Sequence, residues 1–236
     1  MKHLRNWDNK TWLASNRYLL YFHKFIKTKI KINKNTKILD IGCGRGNIIN
    51  YLFEKHRFKD IPIGVDIVKS NNLKKNIIFK KIDAIEYLKK NDKFFDLILI
   101  KQTIHFFPKK KINTLLNLCK KRLNKKAMIL IFSLKTKNNQ IPSFKLMKKK
   151  LIQSLVRDKE IFILIKKNFE KIKIFKFRYK VIIRKTDYIK MIKKRFISCL
   201  INLSQKEISK GVKEIKSNFK TLLKFEDILE CFLYKK

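Results

Sequence analysis

The chain has 236 residues, 45% of them hydrophobic, which suits one domain with a sizeable core and excludes a disordered chain. No apolar run reaches the roughly 18 residues of a membrane span, and Cys43, Cys119, Cys199 and Cys231 form no CxxC pair, so neither disulfides nor a zinc site is expected. The net charge of +42 invites a polyanionic partner, yet lysine supplies 51 of the 60 basic residues and arginine nine, while asparagine outnumbers glutamine 19 to 4. Lys, Asn, Ile and Phe have A/T-rich codons, so a coding bias gives this profile for almost any function. Base-edge readers prefer the planar fork of arginine, and the lysines are spread along the whole chain. Composition therefore favours drift over function and leaves non-specific, salt-sensitive polyanion affinity as the expectation. The N-terminal residues lack the apolar h-region of a signal peptide, which leads to the expectation of a cytoplasmic protein.

Residues 1–35 carry Trp7, Trp12, Leu13, Tyr18, Leu19, Phe22 and Phe25 at roughly helical spacing. Such an aromatic face is either a lid over a pocket or a layer packed on a sheet. Trp12 is the candidate here for touching a ligand. His3, His23 and His56 have no partner signal and read as surface or packing residues.

An apolar strand over Lys37–Ile41 then runs into Gly42-Cys43-Gly44-Arg45-Gly46, and a helix over about Asn47–Lys55 starts at once. The chain has only five glycines, and three fall in these five positions. Glycine lets a backbone approach a ligand with no Cβ in the way, and the helix start offers free N–H groups and its positive dipole end. The spacing is G-x-G-x-G rather than the dinucleotide G-x-G-x-x-G, and no G-K-[ST] follows, which excludes a P-loop. Asp40 ahead of the glycines suits a cofactor with a cationic amino group. Asp40-Ile-Gly-Cys-Gly-Arg-Gly46 resembles motif I of the class I S-adenosylmethionine-dependent methyltransferases, and the resemblance runs over about the first 135 residues.

The next strand, Pro62–Ile67, ends in Asp66, 20 residues after Gly46, where a carboxylate can accept bonds from ribose hydroxyls. This resembles motif II, which implies that Ile67 lies against the adenine. Strand three, Ile77–Ile82, leads to Asp83-Ala84. Asp83 resembles the motif III acid that meets the adenine amino group, with the Ala84 N–H serving a ring nitrogen; a plain N-cap for the helix Ala84–Lys90 is a compatible reading. Strand four, Phe95–Ile100, runs into Lys101-Gln102-Thr103-Ile104-His105-Phe106-Phe107-Pro108. By resemblance to motif IV, Lys101 and Gln102 border the cofactor. The Asn/Asp-Pro-Pro-aromatic tetrapeptide of amino-methylating nucleic-acid enzymes is absent here, as are the cysteine of RNA C5 enzymes and the extra carboxylates of the metal-dependent catechol type. His105 among aromatics instead resembles the loop of small-molecule methyltransferases of the ubiquinone and trans-aconitate type, which implies a general base or a pocket residue.

A helix over about Lys110–Leu123 and a fifth strand, Ala127–Phe132, complete a strand–helix alternation that predicts a parallel doubly wound sheet. The alternation stops after Leu134. Helical patterning over 143–169 precedes a long strand over 172–183, then a helix over Asp187–Leu203 capped by Thr186. The capping box Ser204-Gln-Lys-Glu207 opens another helix to about Phe219, and a strand over Phe225–Tyr234 closes the chain. Arg184 and Arg195 are candidates to clamp an acceptor carboxylate, arginine being rare in this chain.

The expected molecule is α/β, a Rossmann-like doubly wound, mostly parallel seven-stranded sheet with helical cap insertions. Residues 1–35 form an N-terminal helical lid. Residues 36–236 form the main domain, with its core at 36–135, cap elements at 143–169 and 186–219, and closing strands at 172–183 and 225–234. The resemblance implies S-adenosyl-L-methionine as cofactor, no metal, and methyl transfer to a small-molecule oxygen, a carboxylate or hydroxyl. An RNA methyltransferase or a cofactor-binding protein without turnover are the alternatives. A monomer or homodimer without membrane association is expected.

Overall fold

The structure is a computed structural model that describes residues 11–236; His3 and Trp7 lie outside the described residues. Strands β1 (Ile38–Ile41), β2 (Ile63–Asp66), β3 (Ile78–Lys81), β4 (Phe95–Lys101), β5 (Leu123–Leu134), β6 (Ile172–Arg184) and β7 (Leu222–Lys235) form one sheet in the order β3-β2-β1-β4-β5-β7-β6. The first five strands pair in parallel, and β7 runs antiparallel between β5 and β6. The helices are α1 (Asn16–Lys27), α2 (Asn47–His56), α3 (Ala84–Lys90), α4 (Lys109–Lys121), α5 (Lys145–Asn168), α6 (Lys185–Lys193) and α7 (Gln205–Asn218).

The near-continuous apolar runs of β4 and β5 follow from burial on both faces. Leu97 and Leu99 of β4, with Leu130 and Phe132 of β5, belong to one buried layer; Ile98 and Ile100, with Ile129 and Ile131, belong to the other. Period-two alternation splits each strand between the two layers. Helix α1 belongs to the first layer. Its Tyr18, Leu19, Phe22 and Ile26 are buried, and the Phe22 ring lies 4.7 Å from Phe132 and 5.2 Å from Phe177. The aromatic face of α1 thus covers the sheet, and among the described residues of this segment only Leu13, in a short 3-10 turn ahead of α1, reaches the cleft described below.

Several boundaries differ from the sequence reading. The helix expected over Asp187–Leu203 stops at Lys193, because Arg195 takes a left-handed φ of 54° and reverses the chain. That reversal brings Phe196 onto Tyr188 and Trp12, with ring centroids 5.5 Å apart in both pairs, and a 3-10 turn follows at Ser198–Leu200. Thr186 does not cap α6; Arg184 stands at the cap position without a side-chain bond. The helical patterning over 143–169 forms one 24-residue helix. Strand β5 begins at Leu123, ahead of Ala127, with a register shift opposite Phe95/Leu97. The capping box of α7 is formed as expected, Glu207 N–H donating to Ser204 Oγ and Ser204 N–H to Glu207 Oε2. His23 and His56, which carried no partner signal, pair with each other at 2.8 Å between their Nε2 atoms.

Candidate active site

One cleft of about 440 Å³ opens over the C-terminal ends of β1, β2 and β4, where ligands of open α/β sheets bind. Its first wall is the turn after β1. The Gly42 N–H continues the ladder to the Val65 carbonyl at 2.8 Å, and at φ 73° an added Cβ would fall 2.2 Å from Thr103 Oγ1, so only glycine fits. Gly44 differs: its φ is 57°, and an added Cβ would meet no described residue within 4 Å. Its bare backbone faces open space, room that a cofactor could occupy. Gly46 is the N-cap of α2 and is not on the cleft wall; a Cβ there would run into Ile77. Cys43 and Asn47 do line the cleft.

Three carboxylates stand at the ends of successive strands. Asp40 is 3% exposed, and burial pushes its pKa up to about 7 against the opposing charge of Lys101. Asp66 accepts from Gly44 N–H at 3.0 Å through Oδ2 and from Val68 N–H at 2.9 Å through Oδ1, which ties the glycine turn to the end of β2. Asp83 accepts from the Ile85 and Glu86 N–H groups as the N-cap of α3 and also lines the cleft, so both roles read from the sequence coexist in one side chain. Ile67 and Ala84 lie on the same wall. Lys101 Nζ donates to Gln102 Oε1 at 2.8 Å and sits 5.3 Å from the Tyr18 ring centroid; both Lys101 and Gln102 line the cleft.

The other end of the cleft is mostly apolar, with Phe106, Phe107, Leu151, Leu155, Phe196 and Ile197 among its walls. His105 stands here with its Nε2 buried and without a hydrogen bond among the described residues. Burial, and then the nearby Arg157 charge, lower its pKa to about 4, so the imidazole is neutral at physiological pH. Lys111, Ser154, Asp158 and Ser198 supply polar groups here. Burial raises the Asp158 pKa, and its bonds from Arg157 oppose that rise.

The three candidates for acceptor contact are not brought to this wall. Trp12 donates its indole N–H to buried Asp227 at 2.9 Å and packs edge-on against Phe196 and Phe225, a latch behind the wall. Arg184 is exposed and bonds Asp187 at 2.9 Å. Arg195 donates to the Leu203 carbonyl at 2.9 Å, and its own role is in the chain reversal. The residues that do line this end include Leu151, Ser154, Leu155 and Asp158, which escaped the sequence reading. Their signal was present: they follow an i, i+3, i+4, i+7 stripe, and one acid in such a stripe faces inward. Among the described residues, no three His, Cys, Asp or Glu side chains are grouped to hold a metal ion, and no helix is long and apolar enough to cross a membrane.

A mostly parallel sheet with a glycine turn and acids at three successive strand ends defines an α/β protein of the Rossmann-like class. Residues 32–226 match the family described as "Methyltransferase domain", and the chain belongs to that family. No curated protein matches the chain by sequence. Among solved structures, it is similar to a putative methyltransferase from an antibiotic biosynthesis pathway of Anabaena variabilis, at 15% identity and a TM-score of 0.65 over 92% of this chain and 97% of that one. It is also similar to a SAM-dependent methyltransferase from Archaeoglobus fulgidus, at 22% identity and a TM-score of 0.53 over 95% and 96%. The plantazolicin methyltransferase BpumL, in complex with a pentazolic desmethylPZN analog and SAH, is similar at 18% identity and a TM-score of 0.55 over 100% and 90%. At these identities the likeness is one of fold. Family and fold agree: this is a methyltransferase-domain protein with a Rossmann-like fold.

Proposed function

We propose that the protein transfers a methyl group to a compact, largely apolar small molecule bound between the 104–108 loop and α5. The observation that carries this reading is a single cleft with two unlike ends. Bare glycine backbone and three acids stand at one end, and a neutral, unbonded histidine stands among aromatic and aliphatic side chains at the other.

S-adenosylmethionine supplies an electrophilic methyl on a sulfonium whose departure needs little assistance. The chain's residues have three tasks. Asp40, Asp66, Asp83 and the Gly44 backbone hold the donor, whose cationic groups suit an acid-lined cradle. The apolar walls orient the acceptor and exclude water, and positioning of this kind supplies much of the rate. His105, neutral and unbonded, accepts the proton that a hydroxyl or amine acceptor must lose. A carboxylate acceptor needs no base, but neither Arg184 nor Arg195 is on the cleft wall, which leaves only Lys101 and Lys111 as cations to clamp it. A polyanionic RNA acceptor is disfavoured by the cleft's four aspartates against two lysines, Lys101 and Lys111.

The reading is tested by calorimetric titration with S-adenosylmethionine and S-adenosylhomocysteine, on wild type and Asp66→Ala, followed by incubation with methyl-labelled donor and a cell extract. Binding lost in the variant, with label in the small-molecule fraction, is the expected result. Label confined to RNA, or no binding to folded wild type, overturns it.

A further inference from the structure

The charge of the cleft is inverted relative to the chain. Basic residues outnumber acidic ones 60 to 18 overall, yet four aspartates and only two lysines line the cleft. Asp40, Asp66 and Asp83 belong to the donor end, where strand ends place them. Asp158 does not. It comes from the middle of α5, in a stripe with Leu151 and Leu155, and it is 6% exposed.

The bonding of this carboxylate is lopsided. Arg157 Nη2 and Nε both donate to Oδ1, at 2.9 and 3.2 Å. Oδ2 has no hydrogen-bond partner among the described residues. The Arg157 side chain is 42% exposed and that of Asp158 only 9%, so the guanidinium sits toward solvent and the carboxylate toward the cleft. A carboxylate withdrawn from water is costly unless both oxygens are satisfied. Here one oxygen is paired, and the residue lines the cleft. Arg157 is the cation already paired to it, burial keeps His105 neutral, and Lys111 is the other cation on this part of the wall.

We infer that Asp158 is a specificity residue that binds a positively charged amine carried by the acceptor, an inference that rests on the methyltransferase reading of the cleft. An ammonium or alkylammonium group completes the second oxygen with a charge-assisted hydrogen bond in a site where water is scarce. The neighbouring Leu151, Leu155 and Phe106 suit an alkyl or aryl body attached to that amine. A carboxylate in the same place meets a like charge, and a hydroxyl offers a weaker, neutral bond.

The test uses the full-length protein saturated with S-adenosylhomocysteine and three matched probes, 2-phenylethylamine, 2-phenylethanol and 3-phenylpropionate, each titrated calorimetrically. The amine is expected to bind about tenfold or more tightly than the alcohol, as one charge-assisted bond allows, and the acid not to bind measurably. Asp158→Asn is expected to erase that ranking while S-adenosylhomocysteine still binds. Arg157→Gln, which removes the competing cation, keeps the ranking. Should Asp158→Asn lose S-adenosylhomocysteine binding as well, the wild-type ranking decides. Equal or better binding of alcohol or acid, binding of none of the three, or an unchanged ranking in a folded Asp158→Asn variant overturns the inference alone. Failure of wild type to bind S-adenosylhomocysteine overturns the methyltransferase reading beneath it.

Discussion

At the donor end of the cleft, the polar groups come from residues 40–84, from strand ends and the turns that follow them, and backbone bonds hold them: Gly44 and Val68 on Asp66, Ile85 and Glu86 on Asp83. At the acceptor end, the side chains come from residue 13, from 105–111, from 151–158 and from 196–198. Packing holds them there: the latch of Trp12 on Asp227, the Phe196 ring against Tyr188, and the long helix α5. The first end is a local motif repeated along a sheet edge. The second exists only once four distant segments have folded onto one another. Changes at one end should therefore leave binding at the other largely intact.

The largest effect is expected from His105→Ala, which should lower the methyl-transfer rate by about 10²–10⁴-fold, the range for loss of a general base, with donor affinity kept within a few-fold. A parallel loss of S-adenosylhomocysteine binding would break the separation of the two ends. Next comes Asp66→Ala, expected to weaken donor binding by about 100-fold, since a charged acceptor of two hydroxyl bonds is removed. Calorimetry reads it directly. Phe196→Ala removes an aromatic ring buried against Trp12 and Tyr188 and should cost about 3–5 kcal/mol in denaturant unfolding. In the folded fraction, donor affinity should be unchanged; a change would show that the aromatic box also shapes the donor end.

The pH dependence sharpens the same contrast. His105 has a folded pKa near 4, below the ordinary 6.5, so the unfolded chain binds the extra proton between those values. Its contribution to stability is intact above pH 6.5 and is lost as pH falls toward 4, at up to about 1.4 kcal/mol per unit. Nitrogen-15 spectra of the imidazole should show no titration between pH 8 and 5; a midpoint near 6.5 would remove His105 from the role of neutral base. The smallest effect belongs to Arg184→Ala. Its exposed pair with Asp187 is away from both ends, so turnover and melting temperature should match wild type.

The strand–helix alternation and the acids at successive strand ends were legible in the sequence because each depends on neighbours in the chain. Alternating apolar runs set β1 to β5, and the glycine turn with Asp40, Asp66 and Asp83 follows each strand at once. Even there, tertiary structure assigned the details. Gly46 went to the α2 cap rather than the wall, because Ile77 closes over it. Gly42 was fixed by Thr103, 61 residues away. The acceptor end was not legible. Arg184 and Arg195 stood out by rarity, yet rarity says nothing of direction, and their bonds turn them to Asp187 and the Leu203 carbonyl. Asp158 passed as one more charge on a lysine-rich helix until α5 packed with that stripe inward. The amino-acid order by itself determined the mostly parallel sheet and the glycine turn and acids at its strand ends, since period and turn chemistry act over a few residues. Which side chains face the acceptor was decided only by the folded chain, because contacts between residues 13, 105, 158 and 196 depend on how helices pack rather than on any spacing along the sequence.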